Sequence, residues 1–67
     1  MASEVPVEKT GFLSGTESRF VLTEDDGTPW LLDGRLRLRR YAGGFVTVTG
    51  YPYSECRFEV IAIADAP

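Results

Sequence analysis

Hydrophobic and polar residues alternate along one short segment that follows directly after the pair Gly43-Gly44. One face of residues 45–49 carries Val46 and Val48, and the other carries Phe45, Thr47 and Thr49. A period of two after a turn signal predicts a β-strand with one face buried and one face exposed.

Four further segments combine β-forming residues with flanking turn residues, and we predict strands at residues 10–14, 19–23, 28–33 and 57–63. The sequence Glu-Asp-Asp-Gly at residues 24–27 predicts a tight hairpin turn, because glycine adopts the positive φ that such turns require. In the last segment the alternation between inward-facing and outward-facing residues shifts by one position near Val60 and Ile61, which indicates a β-bulge.

Residues 35–41 are ambiguous between a strand and a helix. Arginine and leucine alternate strictly from residue 35 to residue 39, which permits a strand. Both residue types also favour helices, and Leu38 and Tyr41 have the i, i+3 spacing of one helical face. We predict about two helical turns that end at Gly43, with an extended segment as the alternative.

A chain of 67 residues forms at most one domain, and it buries only about 60% of its unfolded surface. Cys56 is its single cysteine, so no intrachain disulfide stabilises it. A closed β-barrel suits such a chain, because closure removes the sheet edges. The predicted core consists of Leu13, Phe20, Leu22, Trp30, Leu32, Leu38, Val46, Val48, Phe58, Val60 and part of the pair Ile61 and Ile63.

The spacing of glycines and apolar residues resembles that of small bacterial OB-fold domains. The motifs that carry the resemblance are Gly11-x-Leu13, Phe20-Val-Leu22, Asp25-Asp-Gly27, Trp30-x-Leu32-x-Gly34 and Leu38-x-x-Tyr41-x-Gly43-x-x-Val46-x-Val48-x-Gly50, followed by a closing strand with Phe58, Val60 and Ile63. The resemblance covers residues 10–63 and implies an all-β fold, a five-stranded OB-type closed barrel with one short helix between strands 3 and 4. Many such domains belong to families of unknown function. Gly44-Phe45 departs from the pattern, since basic residues are more usual there.

The expected organisation is a disordered tail at residues 1–8, one barrel domain at 9–64 and a second tail at 65–67. The net charge is −3, but residues 34–46 contain four arginines and no acid. Arg35, Arg37, Arg39 and Arg40 form a candidate anion patch. A solvated helix face, offset by the acidic hairpin, is the simpler interpretation of these arginines.

The OB-fold resemblance implies a ligand site across strands 2 and 3, flanked by the loops that join strands 1 and 2 and strands 4 and 5. With Phe20, Leu22, Trp30 and Leu32 inward, Val21 and Leu31 form an apolar patch on the outer face. The candidate binding residues are Arg19, Val21, Leu31, Tyr51, Tyr53 and Arg57. The reverse orientation would expose Trp30 for base stacking, and the simpler interpretation of the tyrosines is that they rest on the barrel rim.

The function that we expect is a non-catalytic binding module whose ligand is a protein partner. The alternative is single-stranded nucleic acid or an oligosaccharide bound in the same groove. The chain has no histidine and no glycine-rich phosphate loop, so we expect no enzyme, no cofactor and no metal. The lone thiol and the absence of an export signal or an apolar span indicate a cytoplasmic protein without membrane contact.

Overall fold

The computed structural model describes residues 5–15, 19–34 and 37–66. These residues form a small all-β domain of five strands, with one 3₁₀ turn between the third and fourth. The strands are β1 (Val7–Gly15), β2 (Phe20–Glu24), β3 (Pro29–Asp33), β4 (Phe45–Pro52) and β5 (Arg57–Asp65), and the 3₁₀ turn is Leu38–Tyr41.

The five strands form one sheet that closes into a ring. The order around the ring is β1, β2, β3, β5, β4 and back to β1. β3 and β5 run parallel, whereas the other neighbouring strands that the structure describes run antiparallel. Each strand therefore has a partner on both sides over part of its length, so none of these strands is left with one side wholly unpaired.

The inner face of the ring carries the core, as the alternation of the sequence predicts. Among the described residues, the buried side chains are Leu13, Leu22, Leu32, Leu38, Val46, Val48, Phe58 and Val60, with Phe20, Trp30, Tyr41 and Ile63 packed against them. The predicted core is thus confirmed, and of the pair Ile61 and Ile63 it is Ile63 that packs against the core, whereas Ile61 is 47% exposed. The reason is the bulge: Thr49 pairs with Ala62 and Gly50 with Val60, so Ile61 has no partner and leaves the inward set.

Two glycines mark places where strands approach too closely for a side chain. A Cβ at Gly11 would lie 2.1 Å from the carbonyl oxygen of Thr23, and a Cβ at Gly50 would lie 1.8 Å from that of Glu59. Gly11 lies where β1 pairs with both β2 and β4, and Gly50 lies at the bulge. Both glycines allow the ring to bend and close.

The two-turn helix predicted at residues 35–41 is wrong in the part that the structure describes. Only the four residues Leu38–Tyr41 turn, in a 3₁₀ conformation with no side-chain cap and no acidic residue in the first turn. Helices this short gain too few hydrogen bonds to offset nucleation. The turn is fixed by its buried Leu38 and by packing against β5. Arg35 and Leu36 lie outside the described residues.

The ends of the domain differ somewhat from the expected boundaries. β1 begins at Val7, inside the segment expected as a tail, and Val7 pairs with Gly50. β5 continues to Asp65, and the amide of Ala66 donates to the carbonyl of Phe45. Residues 1–4 and Pro67 lie outside the described part. Within that part, no helix has the length and apolar character that a membrane span requires.

Candidate binding face on strands β2 and β3

Val21 and Leu31 lie side by side on the outer surface of the ring. They are register partners in the β2–β3 pairing, and both are half-buried. The neighbouring pair Leu22 and Trp30 points to the interior, which fixes Val21 and Leu31 on the outside. The structure therefore forms the apolar pair that the sequence predicts.

An open pocket lies beside this pair, with a cavity volume of about 200 Å³. It is lined by Arg19, Leu31, Leu32, Asp33 and Arg57. Arg57 reaches the pocket because β5 runs parallel to β3 and Arg57 is the register partner of Leu31. Three predicted site residues, Arg19, Leu31 and Arg57, thus meet around one concavity.

Asp33, Tyr53 and Arg57 form a hydrogen-bonded cluster at one side of the pocket. The hydroxyl of Tyr53 donates to Oδ2 of Asp33. The guanidinium of Arg57 donates to Tyr53 Oη from Nε at 2.9 Å, and to Asp33 Oδ2 from Nε at 3.3 Å and from Nη2 at 3.2 Å. The guanidinium carbon also lies 5.8 Å from the centre of the Tyr53 ring. The cluster joins β3, β5 and the β4–β5 loop through side chains that remain exposed.

The cluster changes the proton affinity of its charged members. The hydrogen bond from Tyr53, reinforced by Arg57, holds the pKa of Asp33 below its ordinary value of 3.8. The hydrogen bond that Arg57 Nε donates to Tyr53 Oη, followed by the interaction with Asp33, raises the pKa of Arg57. Both groups are therefore ionised at neutral pH, and the pair is an internal ion pair with Nη2 and Oδ2 3.2 Å apart.

The backbone also ties the β4–β5 loop to this face. The amide of Leu31 donates to the carbonyl of Cys56 at 2.6 Å, and the amide of Tyr53 donates to the carbonyl of Arg57 at 3.2 Å. Cys56 is exposed and has a free thiol. Backbone hydrogen bonds and the side-chain hydrogen bonds of the cluster together therefore hold the loop next to the pocket.

Tyr51 lies differently from the sequence prediction. It belongs to β4 rather than to the loop, and its register partner is Glu59 on β5. It is half-buried and does not line the pocket, whereas Tyr53 is 53% exposed and belongs to the cluster. Only the second of the two predicted tyrosines therefore contacts the other site residues.

Trp30 lies at the inner face of the ring, where it packs against the core. Its ring packs edge-on against Phe58 with centroids 5.9 Å apart, and its Nε1 donates to Oε1 of Glu24 at 2.7 Å. The ammonium of Lys9 lies 4.9 Å from the ring centre. The indole is partly buried and already in contact on several sides, so it is not part of the β2–β3 outer face.

The candidate anion patch is separate from the pocket. Arg37, Arg39 and Arg40 are exposed at the 3₁₀ turn, and they do not line the pocket. Within the described residues no ion pair involves these three side chains. Arg35, the fourth member, lies outside the described part.

Sequence reasoning missed Asp33 as a site residue. Its place on the outer face of β3 follows from the alternation, but its two partners come from 20 and 24 residues further along the chain. The parallel pairing of β3 with β5 brings the residues around 57 beside Asp33, and no local pattern in the sequence shows that pairing. Across the described ranges, no group of three His, Cys, Asp or Glu side chains is arranged to hold a metal ion.

Comparison with known proteins adds a family but no described relative. No curated protein and no solved structure matches the chain. A family model described as "Protein of unknown function (DUF5818)" matches residues 10–66, which include nearly the whole ring of strands. The chain therefore belongs to the DUF5818 family of proteins of unknown function.

Proposed function

We propose that this chain is a non-catalytic binding module of the OB type, and that it binds a protein partner across the outer face of β2 and β3. The occupant that we propose is an extended segment carrying an apolar side chain next to a carboxylate. The observation that carries the proposal is the Val21–Leu31 pair lying directly beside a pocket lined by two arginines.

The strand order supports the OB-type assignment. A closed β1-β2-β3-β5-β4 ring, a parallel β3–β5 pair and a turn between β3 and β4 agree with the Greek-key barrel that the sequence resembles. In that architecture the outer side of strands 2 and 3 and the flanking loops commonly bind ligands. The pocket of this chain lies on that side, with the β4–β5 loop held against it.

Charge supports a carboxylate as part of the partner. Among the described residues, the charged side chains that line the pocket are Arg19, Arg57 and Asp33, and Asp33 compensates one of the two positive charges. A local excess of one guanidinium in a chain of net charge −3 favours an anionic group at this place. Arginine also presents several donors in a plane, which suits a carboxylate.

The aromatic side chains favour a protein over a single-stranded nucleic acid. Binders of single strands stack bases on exposed rings and gain about 1–3 kcal/mol per base. Trp30 packs inward against Phe58, and the hydroxyl of Tyr53 is bonded within its cluster. Nucleic acid and oligosaccharide remain the competing occupants, and the experiment separates them from the protein partner.

Binding rather than catalysis suits the chemistry of the pocket. Its carboxylate, Asp33, is held ionised by Tyr53 and Arg57, so it is a weak base and a poor proton donor at neutral pH. The exposed free thiol of Cys56 supports a reducing, cytoplasmic environment as part of the proposal.

The test is a selection of random peptides displayed on phage against the full chain under reducing conditions. We expect selected peptides to combine an apolar residue with Asp or Glu. Leu31→Thr and Arg19→Ala should each weaken a selected peptide at least about tenfold, which corresponds to 1.4 kcal/mol. Ile61→Ser is the matched control, because it removes an exposed apolar side chain at the bulge of strand β5 and should leave peptide binding unchanged.

Two results contradict the proposal. One is a set of selected peptides without acidic residues whose binding is insensitive to Leu31→Thr. The other is an oligo-dT titration at low salt that shifts the amide resonances of residues 19–23, 29–33 and 51–57, with an effect that weakens as salt is added, as phosphate contacts require.

A further inference from the structure

The outer surface of β1 and β4 carries two exposed phenylalanines that the fold does not need. Phe12 is 39% exposed and Phe45 is 59% exposed. They are register partners, and their rings meet edge-to-face with centroids 5.5 Å apart. The core described above is complete without them. Aromatic side chains in such a position point to an interaction surface.

The residues around these rings are small or hydroxylic. Thr10 and Thr47 are the next outward pair on the same two strands, and their hydroxyls lie 2.9 Å apart. On β5, Ala64 pairs with Thr47 and Ala62 pairs with Thr49. We call the outward side chains Thr10, Phe12, Phe45, Thr47 and Ala64 the Phe12–Phe45 face. None of its members is charged, and the next outward residue on β1 is Glu8, which pairs with Thr49.

We propose that the Phe12–Phe45 face is a self-association surface whose occupant is a second copy of this chain. A two-fold dimer uses the same patch on both chains, so a patch of one charge sign opposes it. The chain has a net charge of −3, yet this face is free of charge and can meet itself without repulsion. The same uncharged rings and hydroxyls then form both sides of the contact.

The closed ring determines how two copies can meet. Each strand has partners on both sides over part of its length, which leaves only short stretches of open strand edge. We therefore expect the side chains of the outer face to form the contact between two copies. A standard interface takes about 800 Å² from each partner, and the five side chains of this face supply only part of that area, so we expect a weak association that depends on concentration.

The surface is separate from the proposed peptide site. That site uses outward residues of β2 and β3 together with Arg57 at the start of β5, whereas the Phe12–Phe45 face uses outward residues of β1 and β4 together with Ala64 near the end of β5. A dimer formed through the second surface would leave the first accessible, so one assembly would present two copies of the peptide site. Such bivalence raises the effective affinity for a partner with repeated segments.

The experiment is sedimentation velocity on the full chain with a reductant, which keeps Cys56 from linking two chains. From about 10 μM to about 1 mM, we expect the mass to rise from 7.4 kDa towards twice that value. Phe45→Ser should raise the dissociation constant at least about tenfold, and Phe12→Ser should act in the same direction. Added salt should not weaken the association, because no charge pair carries it.

The matched control is Val5→Ser, since Val5 is 71% exposed and precedes β1 at the end that lies away from Phe12. It should leave the dissociation constant unchanged. Trp30 fluorescence would confirm that each variant is folded. A wild-type chain that stays at 7.4 kDa at about 1 mM overturns the proposal, as does equal weakening by Val5→Ser. Resonance shifts at Phe12 and Phe45 with a neutral oligosaccharide, in a chain that stays monomeric, would assign the face to another occupant.

Discussion

The outer surfaces of β2–β3 and of β1–β4 belong to the same ring of strands, but they differ in almost every chemical respect. The first joins an apolar pair to an arginine-lined pocket and a hydrogen-bonded cluster. The second carries two exposed aromatic rings and a threonine pair, with no charge at its centre. Both cover the same core, so the interior places no constraint on which chemistry the outside carries.

This difference shows how the two halves of the alternating pattern divide their roles. Inward positions are restricted to residues that pack, because eight buried side chains must fill the ring that the described residues form. Outward positions need only tolerate water and a strand conformation. Strand pairing then decides which outward residues become neighbours. The order of strands around the ring therefore determines which side chains share an outer face.

Phe58→Ala is expected to have the largest effect, because it breaks the core that both faces share. The ring of Phe58 is fully buried and packs against Trp30, and such truncations cost about 3–5 kcal/mol. A domain of 67 residues has about 3–10 kcal/mol of stability in total. Urea unfolding followed by Trp30 fluorescence should show a largely unfolded variant that neither binds peptide nor associates.

The control for this prediction is Ile61→Ala on the same strand. Ile61 is 47% exposed at the bulge, so its truncation should change the free energy of unfolding by less than about 0.5 kcal/mol. Equal destabilisation by the two variants would contradict the inward assignment of Phe58.

Gly50→Ala should have the next largest effect, through the backbone rather than the core. A Cβ at this position would lie 1.8 Å from the carbonyl oxygen of Glu59, so β4 and β5 must separate at the bulge. We expect a loss of about 1–3 kcal/mol by the same urea measurement, and amide shifts on both outer faces. The matched control is Gly44→Ala, whose Cβ would lie 3.8 Å from its nearest neighbour, the carbonyl oxygen of Tyr41. A loss as large for Gly44→Ala would refute the close-approach argument.

Most of the fold could be predicted from the sequence because it depends on local patterns. The alternation at Val46 and Val48 identifies the inward face of β4, and the register change near Ile61 identifies the bulge. Both signals lie within a few residues of the feature that they predict. Residues 38–41 were the exception, since Leu38 is held by contacts with the rest of the core and the local preference for a helix did not decide the outcome.

The candidate site was only partly predictable, for the opposite reason. The outward position of Val21 and Leu31 follows from alternation, and their pairing follows from the hairpin between them. The cluster of Asp33, Tyr53 and Arg57 depends on β5 lying parallel to β3, which no local pattern encodes. The contact between Phe12 and Phe45 depends in the same way on β1 pairing with β4 across 33 residues of chain.

Asp33→Asn should have the smallest effect of the three, and its effect should be confined to one face. Tyr53 and Arg57 favour the ionised carboxylate and hold its pKa below 3.8, so the carboxylate stabilises the folded state. That contribution is fully present above the unfolded pKa and is lost as the pH falls through the lower folded pKa. The difference in urea midpoint between wild type and Asp33→Asn should therefore be largest near neutral pH and should shrink as the pH falls below 3.8. Amide resonances of residues 51–57 should shift in the variant, while those of Phe12 and Phe45 stay in place.

A midpoint difference that is independent of pH would show that the carboxylate charge is not what holds the β4–β5 loop. Shifts at Phe12 or Phe45 would show that the two faces are coupled.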